Sequence, residues 1–285
     1  MTLPRPYLRQ IGSIPVLGRA LVLLFRLKSG ISVAKQPALN FLRWLFRSRE
    51  YTNYTYDLTP LNKSYLACMV AEVTGIKFEL AWQYMNELEN DGALKEHIRN
   101  CIATSEDGCF ADADVKFGRR VGWYAFVRAI KPDVIVETGV DKGLGACVLT
   151  AALKRNATEG HRGYYYGTDI NPRAGYQLKG EYAKLGRVLY GDSIQSLKSL
   201  DEKIDLFIND SDHSTEYEAS EYEVIKGKLS DRAVILGDNS HLTKELFSFA
   251  MRNGMSFLFF QERPHDHWYP GDGIGVAFRR RSLEL

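Results

Sequence analysis

Apolar and polar residues change their spacing near residue 115 of this 285-residue chain. Before that point, segments 64–76 and 78–99 carry apolar residues every three or four positions, which predicts amphipathic helices. The segment 104–114, TSEDGCFADAD, has the small and polar composition of a linker. We therefore predict a helical N-terminal region over 1–115 and a second domain over 116–285.

In the second domain, short apolar runs alternate with helical patterns. The runs that predict strands are 134–139, 163–170, 187–192, 204–210, 233–239, 255–262 and 273–280. The patterns that predict helices are 122–130, 145–156, 172–185, 193–200, 215–229 and 242–254. Such alternation predicts an α/β fold, a Rossmann-like, doubly wound sheet of seven strands with helices on both faces. The last two strands have no helix between them, which predicts a hairpin and hence one antiparallel strand.

Composition narrows the class of protein. Hydrophobic residues make up 45% and charged residues 25%, as in an ordinary globular protein, and a net charge of +2 gives no sign of nucleic-acid binding. The four cysteines form no CxxC pair, which argues against a disulfide scaffold or a zinc ribbon and favours a reducing, cytoplasmic location.

The positive charge is concentrated at the N-terminus. Residues 1–50 carry nine basic side chains and one acid, Glu50. The apolar stretch 16–27, VLGRALVLLFRL, is too short and too interrupted by Arg19 and Arg26 to span a membrane. A basic, apolar helix of this kind can lie on an anionic membrane surface. The alternative is a helix that docks on the core or on a second subunit in a homo-oligomer.

Glycines follow the first predicted strand. The segment 136–145, VETGVDKGLG, places Glu137, Gly139 and Gly143 in an E-x-G-x-x-x-G spacing before a helix. Glycines there allow a ligand to approach the backbone closely. The spacing differs from the GxGxxG of a dinucleotide site, which favours a ligand without phosphates, such as S-adenosylmethionine. The alternative is a tight turn without a ligand.

Polar residues also end the second and third predicted strands. Asp169 is placed to accept hydrogen bonds from both ribose hydroxyls of a nucleoside. Asp192 and Ser193 are placed to meet an adenine edge. Each group could instead cap the helix that follows, and Asn171 is a further cap candidate after Asp169.

Two further predicted strands end in clusters of polar and charged residues. The fourth ends in LFINDSDH (206–213) and the fifth in VILGDN (234–239). Adjacent parallel strands lie about 4.8 Å apart, so side chains at their carboxyl ends can lie close together.

Taken in order, VETGVDKGLG, GTDINP, LFINDSDH and VILGDN resemble the metal-dependent small-molecule O-methyltransferases of the catechol and caffeoyl-CoA type. The DSDHS segment also resembles the bacterial group of cephalosporin-hydroxylase-like and macrocin-type enzymes. The resemblance covers roughly residues 118–280 and implies a class I S-adenosylmethionine-dependent methyltransferase. One departure is Gly145, where catechol-type enzymes usually have serine.

The resemblance also implies roles for single residues. Asp210, Asp238 and Asn239 would bind Mg²⁺ or another divalent cation, with oxygen ligands of the kind that Mg²⁺ prefers. His213 would take the proton from the attacking hydroxyl, with Asp210 beside it in the catalytic group. Asp212 could orient His213, or could replace Asp210 as the metal ligand. The alternative is that these groups only cap the next helix.

The loop between the last two strands is a candidate for the acceptor pocket. It contributes His265, His267, Trp268 and Tyr269. Arg120 and Tyr124, before the first strand, could reach the site or could be surface residues of their helix.

These features predict a divalent-metal-dependent O-methyltransferase that acts on a small hydroxylated acceptor: a sugar, a glycolipid or a natural-product intermediate. The basic N-terminus motivates the glycolipid hypothesis. Two alternatives remain open at this point, a nicotinamide-dependent oxidoreductase, which Asp169 would also suit, and a non-catalytic partner protein with the methyltransferase fold.

Overall fold

The computed structural model describes residues 13–51 and 55–280. The α-helices are α1 (Pro15–Arg47), α2 (Pro60–Thr74), α3 (Phe78–Glu89), α4 (Gly92–Thr104), α5 (Arg120–Ile130), α6 (Leu144–Thr158), α7 (Gly180–Ala183), α8 (Ser193–Ser199), α9 (Thr215–Ile225) and α10 (Glu245–Arg252). The strands are β1 (Val134–Thr138), β2 (Tyr164–Asp169), β3 (Gly186–Tyr190), β4 (Ile204–Asn209), β5 (Leu229–Gly237), β6 (Ser256–Gln261) and β7 (Gly273–Phe278). A 3₁₀ helix, Glu106–Phe110, occupies the predicted linker.

All seven strands form one sheet in the order β3-β2-β1-β4-β5-β7-β6. Strands β1 to β5 pair in parallel, and β7 runs antiparallel to both β5 and β6. Every residue of β4 is buried, as expected for a central strand covered by helices on both faces. The prediction of a Rossmann-like seven-stranded sheet with one antiparallel strand is confirmed.

Strand register aligns the carboxyl ends of β1, β4 and β5. Thr138 of β1 pairs with Asn209 of β4, which pairs with Gly237 of β5. The ladder continues one residue further, because the Asp210 N–H donates to the Thr138 carbonyl at 2.9 Å and the Asp238 N–H to the Asn209 carbonyl at 2.8 Å. Asp210 and Asp238 are therefore neighbours on adjacent strands.

Side-chain caps begin two of the helices before the sheet, α2 and α4. The Thr59 side chain accepts from the Asn62 N–H at the start of α2, which ends at Gly75 in the left-handed region. The Asp91 side chain accepts from the Leu94 N–H and so begins α4 after a break. This is the turn that an Asp-Gly dipeptide predicts.

The described residues divide into two compact units. One comprises 13–48 with Asp266–Tyr269, and the other comprises the remaining described residues, including α2 to α10 and the sheet. The division between the compact units falls near residue 48. The predicted domain boundary near residue 115 stays a prediction. Among the described residues, no helix is both long enough and apolar enough to cross a membrane.

The helix predicted over 172–185 is wrong over most of its length. Only Gly180–Ala183 is helical, and the residues before it form turns. Gly175 has a φ of +72°, and its N–H donates to the Asp141 carbonyl at 2.6 Å. Hydrogen bonds between this segment and the loop after β1 replace the bonds that a helix would make. The spacing of apolar residues within the segment does not indicate such long-range partners.

Candidate active site

Two carboxylates face each other where β4 and β5 end. Asp238 is 2% exposed, and the Asp210 side chain is 16% exposed. With the His213 ring they form a cluster in which one ligand atom from each residue lies within 4.8 Å of the others. Parallel register produces this convergence, because equivalent positions on adjacent strands point to the same face.

Asn239 and His213 border the two carboxylates. The Asn239 side-chain nitrogen lies 3.0 Å from His213 Nε2, and His213 Nε2 lies 3.9 Å from Asp210 Oδ1. Asn239 adopts a φ of +54°, a conformation that asparagine tolerates better than most residues. Its side-chain oxygen is buried without a hydrogen-bond donor. A cation beside it would satisfy that oxygen.

Asp212 lies outside the cluster. It is exposed, and its carboxylate accepts from the Ser214 N–H at 2.8 Å, at the start of α9. The structure thus places Asp210, and not Asp212, beside Asp238. Asp212 instead has a local role in the turn before α9, which was the alternative to metal binding.

Arg119 is a member of the site that the sequence analysis missed. It lies just before α5. Its guanidinium forms a bidentate ion pair with Asp238, with Nε 2.5 Å from Oδ1 and Nη2 2.6 Å from Oδ2. Its Nη2 is also 3.9 Å from Asp210, and its Nη1 is 3.8 Å from Glu262. Glu262, which follows β6, is fully buried and accepts from the Tyr56 hydroxyl at 2.5 Å.

The site carries more acids than bases. Asp210, Asp238 and Glu262 surround one guanidinium, so the ionised cluster has excess negative charge. Burial and the Asp238 charge raise the pKa of Asp210 well above its usual range. Burial also raises the pKa of Glu262, although Arg119 opposes the shift. Burial would lower the pKa of Arg119, but the charges of Asp238 and Glu262 outweigh it and raise that pKa. Carboxylates, an orphaned amide oxygen and surplus negative charge together fit a divalent cation.

A sequence signal for Arg119 does exist. Two arginines, Arg119 and Arg120, stand immediately before and at the start of a buried apolar helix. Positive charge at a helix N-terminus opposes the helix dipole, so an arginine there needs an acidic partner elsewhere. The sequence alone does not say which of the acids supplies it.

Glu221 of α9 supports the loop that carries Asp210. Its buried carboxylate accepts from Thr138 Oγ1 at 3.1 Å and from Ser211 Oγ at 2.9 Å. The Asn209 amide and the Ser193 hydroxyl donate to it as well. Burial raises the pKa of Glu221, and these donors oppose the shift. One side chain thereby ties the ends of β1 and β4 to the start of α8.

Gly139 allows the loops after β1 and β4 to touch. It has a φ of +83°, and a Cβ there would overlap the Asp210 carbonyl. Gly143, with a φ of +97°, lies at the start of α6 against Gly175. The backbone that approaches both glycines is the protein's own, and the approach of a ligand, for which the E-x-G-x-x-x-G spacing was interpreted, stays a prediction.

Glu137 lies beneath this loop and is 1% exposed. The Tyr165 hydroxyl donates to its carboxylate at 2.5 Å. Burial raises the pKa of Glu137 to about 7, against the lowering effect of Tyr165. A Cβ at Gly145 would overlap this carboxylate, which accounts for glycine at that position.

Asp169, at the end of β2, organises the same loop. Its Oδ2 accepts from the N–H groups of Val140 and Asp141 at 3.1 and 2.9 Å. Its Oδ1 accepts from the Asn171 N–H at 2.8 Å. A carboxylate offers about four lone-pair positions, so one remains for a further donor.

Asp192 and Ser193 both have local roles. Asp192 caps α8 by accepting from the Gln195 N–H at 2.8 Å. The buried Ser193 hydroxyl bonds Glu221 and lies 2.8 Å from the Tyr217 hydroxyl. The helix-cap alternative thus holds for Asp192, and neither contact tests whether these residues meet an adenine.

The predicted acceptor loop is divided between the two compact units. His267, Trp268 and Tyr269 belong to the unit that contains α1, whereas the exposed His265 belongs to the unit that contains the sheet. The His265 N–H donates to the Asp57 carbonyl at 2.7 Å. Their role in substrate binding stays a prediction.

The surface alternative for Arg120 and Tyr124 is wrong. Both side chains are buried, and the Tyr124 hydroxyl donates to Glu87. Helices α2 and α3 pack against α5 and cover it, a contact that periodicity within one helix does not predict.

Residues 136–240 match a family described as a methyltransferase domain. The matched segment begins in β1 and ends just after β5, so it contains Asp169, Asp210, His213 and Asp238. Over this segment the chain is similar to methyltransferase domains. The resemblance to class I methyltransferases that the four motifs carry is confirmed.

Three solved structures are similar to this chain over most of their own length. An assigned O-methyltransferase from Klebsiella pneumoniae is 16% identical, with a TM-score of 0.50 over 67% of this chain and 91% of that chain. The O-methyltransferase from Bacillus cereus, in complex with S-adenosylhomocysteine, is 17% identical, with a TM-score of 0.47 over 67% and 92%. TomG from Streptomyces achromogenes, in complex with S-adenosylmethionine, is 15% identical, with a TM-score of 0.48 over 67% and 91%. At such identity, the Klebsiella structure bears on the fold alone. No curated protein matches the chain in sequence.

Proposed function

We propose that this protein transfers a methyl group from S-adenosylmethionine to a hydroxyl oxygen of a small acceptor. The observation that carries the proposal is the Asp210, Asp238 and His213 cluster at the carboxyl ends of β4 and β5, inside a methyltransferase domain. Ligands of open α/β sheets bind at this edge. The cluster joins metal-ligand oxygens to a group that can accept a proton.

The donor would bind over the loop after β1. Asp169 keeps one acceptor position for a ribose hydroxyl, and the loop begins and ends with residues without side chains, Gly139 and Gly143. Glu137 supports this loop from below rather than facing solvent. Asp192 would lie nearest the adenine, at the end of β3, with Ser193 holding Glu221 behind it. The spacing of the glycines favours this donor over a dinucleotide.

A divalent cation would be held by Asp210, Asp238 and Asn239. Bound there, it would supply Lewis acidity to the acceptor hydroxyl and lower the pKa of that group. His213 would receive the hydroxyl proton on Nε2, exchanging its present contact with Asn239 for the substrate. Its position beside Asp210 would stabilise the imidazolium that forms.

Arg119 favours a second candidate, a methyltransferase that uses no metal. The guanidinium already occupies both oxygens of Asp238 and therefore competes with a cation. In that case Arg119 would supply the fixed positive charge beside the acceptor oxygen. The nicotinamide alternative has no such support, since the family match is to methyltransferases.

The proposal can be tested with methyl-labelled S-adenosylmethionine and a panel of catechols, sugars and glycolipids. We expect label on an acceptor oxygen in the presence of Mg²⁺ and none with excess EDTA, with Asp212→Asn as a control that retains transfer. Transfer that persists in EDTA would assign the metal-free candidate. Absence of transfer to every acceptor, together with absence of S-adenosylmethionine binding, would contradict methyl transfer itself.

A further inference from the structure

Helix α1 is a long helix that is almost wholly exposed. It runs from Pro15 to Arg47, 33 residues or about 50 Å, and only Gly18 and Asn40 of it are buried. Many of its large apolar side chains are exposed, among them Val16, Leu17, Val22, Leu23, Leu24, Phe25, Leu27, Ile31, Val33, Leu42, Leu45 and Phe46. An apolar surface of this extent is unusual in water and marks an interaction site.

Some of the apolar residues of α1 form a line along one side. Leu23, Leu27 and Ile31 follow each other at four-residue intervals, and they are 66%, 54% and 55% exposed. At about 100° per residue, Arg19 and Arg26 lie along one border of this side, and Lys28 and Lys35 lie along the other. We call this surface the apolar stripe of α1. Long basic side chains at its borders can extend past apolar surface toward charged headgroups.

The charge of α1 identifies its partner. The helix contains six basic residues and no acidic one: Arg19, Arg26, Lys28, Lys35, Arg43 and Arg47. Pairing with a second copy of α1 would bring like charges together along the stripe, without acids to offset them. An anionic lipid surface complements both the apolar stripe and its basic borders.

Aromatic residues gather near the C-terminal end of the helix. The Trp44 and Trp268 rings lie 5.1 Å apart between centroids, and the Phe41 ring lies 5.5 Å from that of Trp268. Tyr269 contacts Trp268, at 6.2 Å. Tryptophan and tyrosine are enriched where proteins meet the headgroup region of a bilayer.

We propose that the apolar stripe of α1 lies in the headgroup region of an anionic membrane surface and anchors the protein there as a peripheral protein. This anchoring is independent of the proposed methyl transfer. It uses only α1 with Asp266–Tyr269, a compact unit separate from the unit that contains Asp210 and Asp238.

Vesicle sedimentation of the full chain tests the proposal. Vesicles of phosphatidylcholine alone are compared with vesicles that also contain phosphatidylglycerol, at low and high salt. We expect binding to the anionic vesicles, weakened by salt because salt screens the basic residues. Equal binding to both vesicles, or binding to neither, would overturn the proposal.

Two variants separate charge from apolar contact. The first replaces Arg19, Arg26, Lys28 and Lys35 with glutamine, and the second replaces Leu23, Leu27 and Ile31 with glutamine. Each Lys or Arg near an anionic surface changes partitioning to that surface by about fivefold. The affinity of the first variant for anionic vesicles should therefore fall roughly 100-fold or more. The second should lose binding as well. Unchanged circular dichroism is required of both.

A matched control carries the same charge change in the other compact unit. It replaces exposed basic residues with glutamine at Lys198, Lys203, Lys244 and Arg252. We expect this control to bind as the wild type does. Equal losses in the control and the α1 charge variant would overturn the proposal. A different result would also overturn it: the wild type binds no vesicles and forms a dimer in sedimentation equilibrium, and the Leu23, Leu27 and Ile31 variant is a monomer. The stripe would then face a second copy of the chain.

Discussion

The side chains at the carboxyl ends of β4 and β5 form an acidic site because strand register brings Asp210 and Asp238 together. Burial and the neighbouring Asp238 charge raise the pKa of Asp210, and a cation nearby would oppose that shift. Arg119 provides one positive charge, and the remaining negative charge favours a second cation.

Removing a ligand should abolish metal binding. We expect Asp238→Asn and Asp210→Asn to lose Mn²⁺ binding and at least about 100-fold in methyl transfer, more than substitutions behind a metal ligand usually cost. Mn²⁺ binding is measured by electron paramagnetic resonance. Asp212→Asn is the matched control and should bind Mn²⁺ like the wild type, because that carboxylate accepts only from the turn at Ser214. Loss of binding in Asp212→Asn alone would place the ligand there instead.

Arg119 should weaken metal binding while stabilising the metal-free protein. Arg119→Gln leaves the buried carboxylates without their partner, and we expect it to lower the free energy of unfolding by about 3–5 kcal/mol without metal. Mn²⁺ should bind this variant more tightly than the wild type and restore part of its stability. Urea denaturation with and without Mn²⁺ measures both effects.

Arg232→Gln is the control for this change. Arg232 pairs with Asp205 and Asp133 but is half-exposed, so its loss should cost only about 1 kcal/mol or less, with no effect of Mn²⁺. Weaker Mn²⁺ binding in Arg119→Gln than in the wild type would contradict competition between the guanidinium and the cation.

Glu137 should make stability depend on pH. Its pKa is about 7 in the folded protein against an ordinary value of 4.5, so the folded state favours the protonated form. The stabilisation of the folded state by protonated Glu137 is fully present below about pH 4.5 and is lost as pH rises through 7. We expect the free energy of unfolding of the wild type to fall by up to about 3 kcal/mol relative to that of Glu137→Gln across this interval. Denaturant titrations without S-adenosylmethionine at several pH values measure the difference, and parallel curves would show that Glu137 titrates normally.

At the scale of elements, the contact between the loops after β1 and β4 sets the geometry of the site. Gly139→Ala would drive a Cβ into the Asp210 carbonyl and would also strain a backbone with a φ of +83°. Gly160→Ala is the matched control, because Gly160 has a φ of +87° and open space around it. We expect Gly139→Ala to lose at least about 1 kcal/mol more stability than Gly160→Ala. It should also bind Mn²⁺ more weakly, whereas equal behaviour of the two variants would show that the loop contact is unimportant.

Elements of the sheet were predictable from the sequence where local pattern and tertiary packing agree. The apolar run of β4 is buried on both faces, and the absence of a helix between β6 and β7 indicated the antiparallel strand. The segment 172–185 was mispredicted because bonds to the loop after β1, such as that of Gly175 to Asp141, override its helical spacing. Local patterns carry no information on such partners.

At the scale of the whole molecule, the sequence located the strand ends but not the groups that other elements bring to them. Asp210, Asp238, Asn239 and His213 follow predicted strands, so their convergence could be expected from parallel topology alone. Arg119, Tyr56 and Glu262 come from distant parts of the chain, and only the packed fold brings them to the same site. Charge is likewise divided, with six basic residues and no acid in α1 although the chain as a whole carries only +2.

Binding of S-adenosylmethionine is the most direct test of a methyltransferase function for this protein. We would titrate it calorimetrically into the purified full chain, with NAD as the comparison ligand and with Asp169→Asn as the variant. We expect saturable binding of S-adenosylmethionine, weaker binding to Asp169→Asn because a ribose hydroxyl loses its carboxylate, and no heat from NAD. No binding of S-adenosylmethionine, or saturable binding of NAD in its place, would contradict a methyltransferase function for this protein.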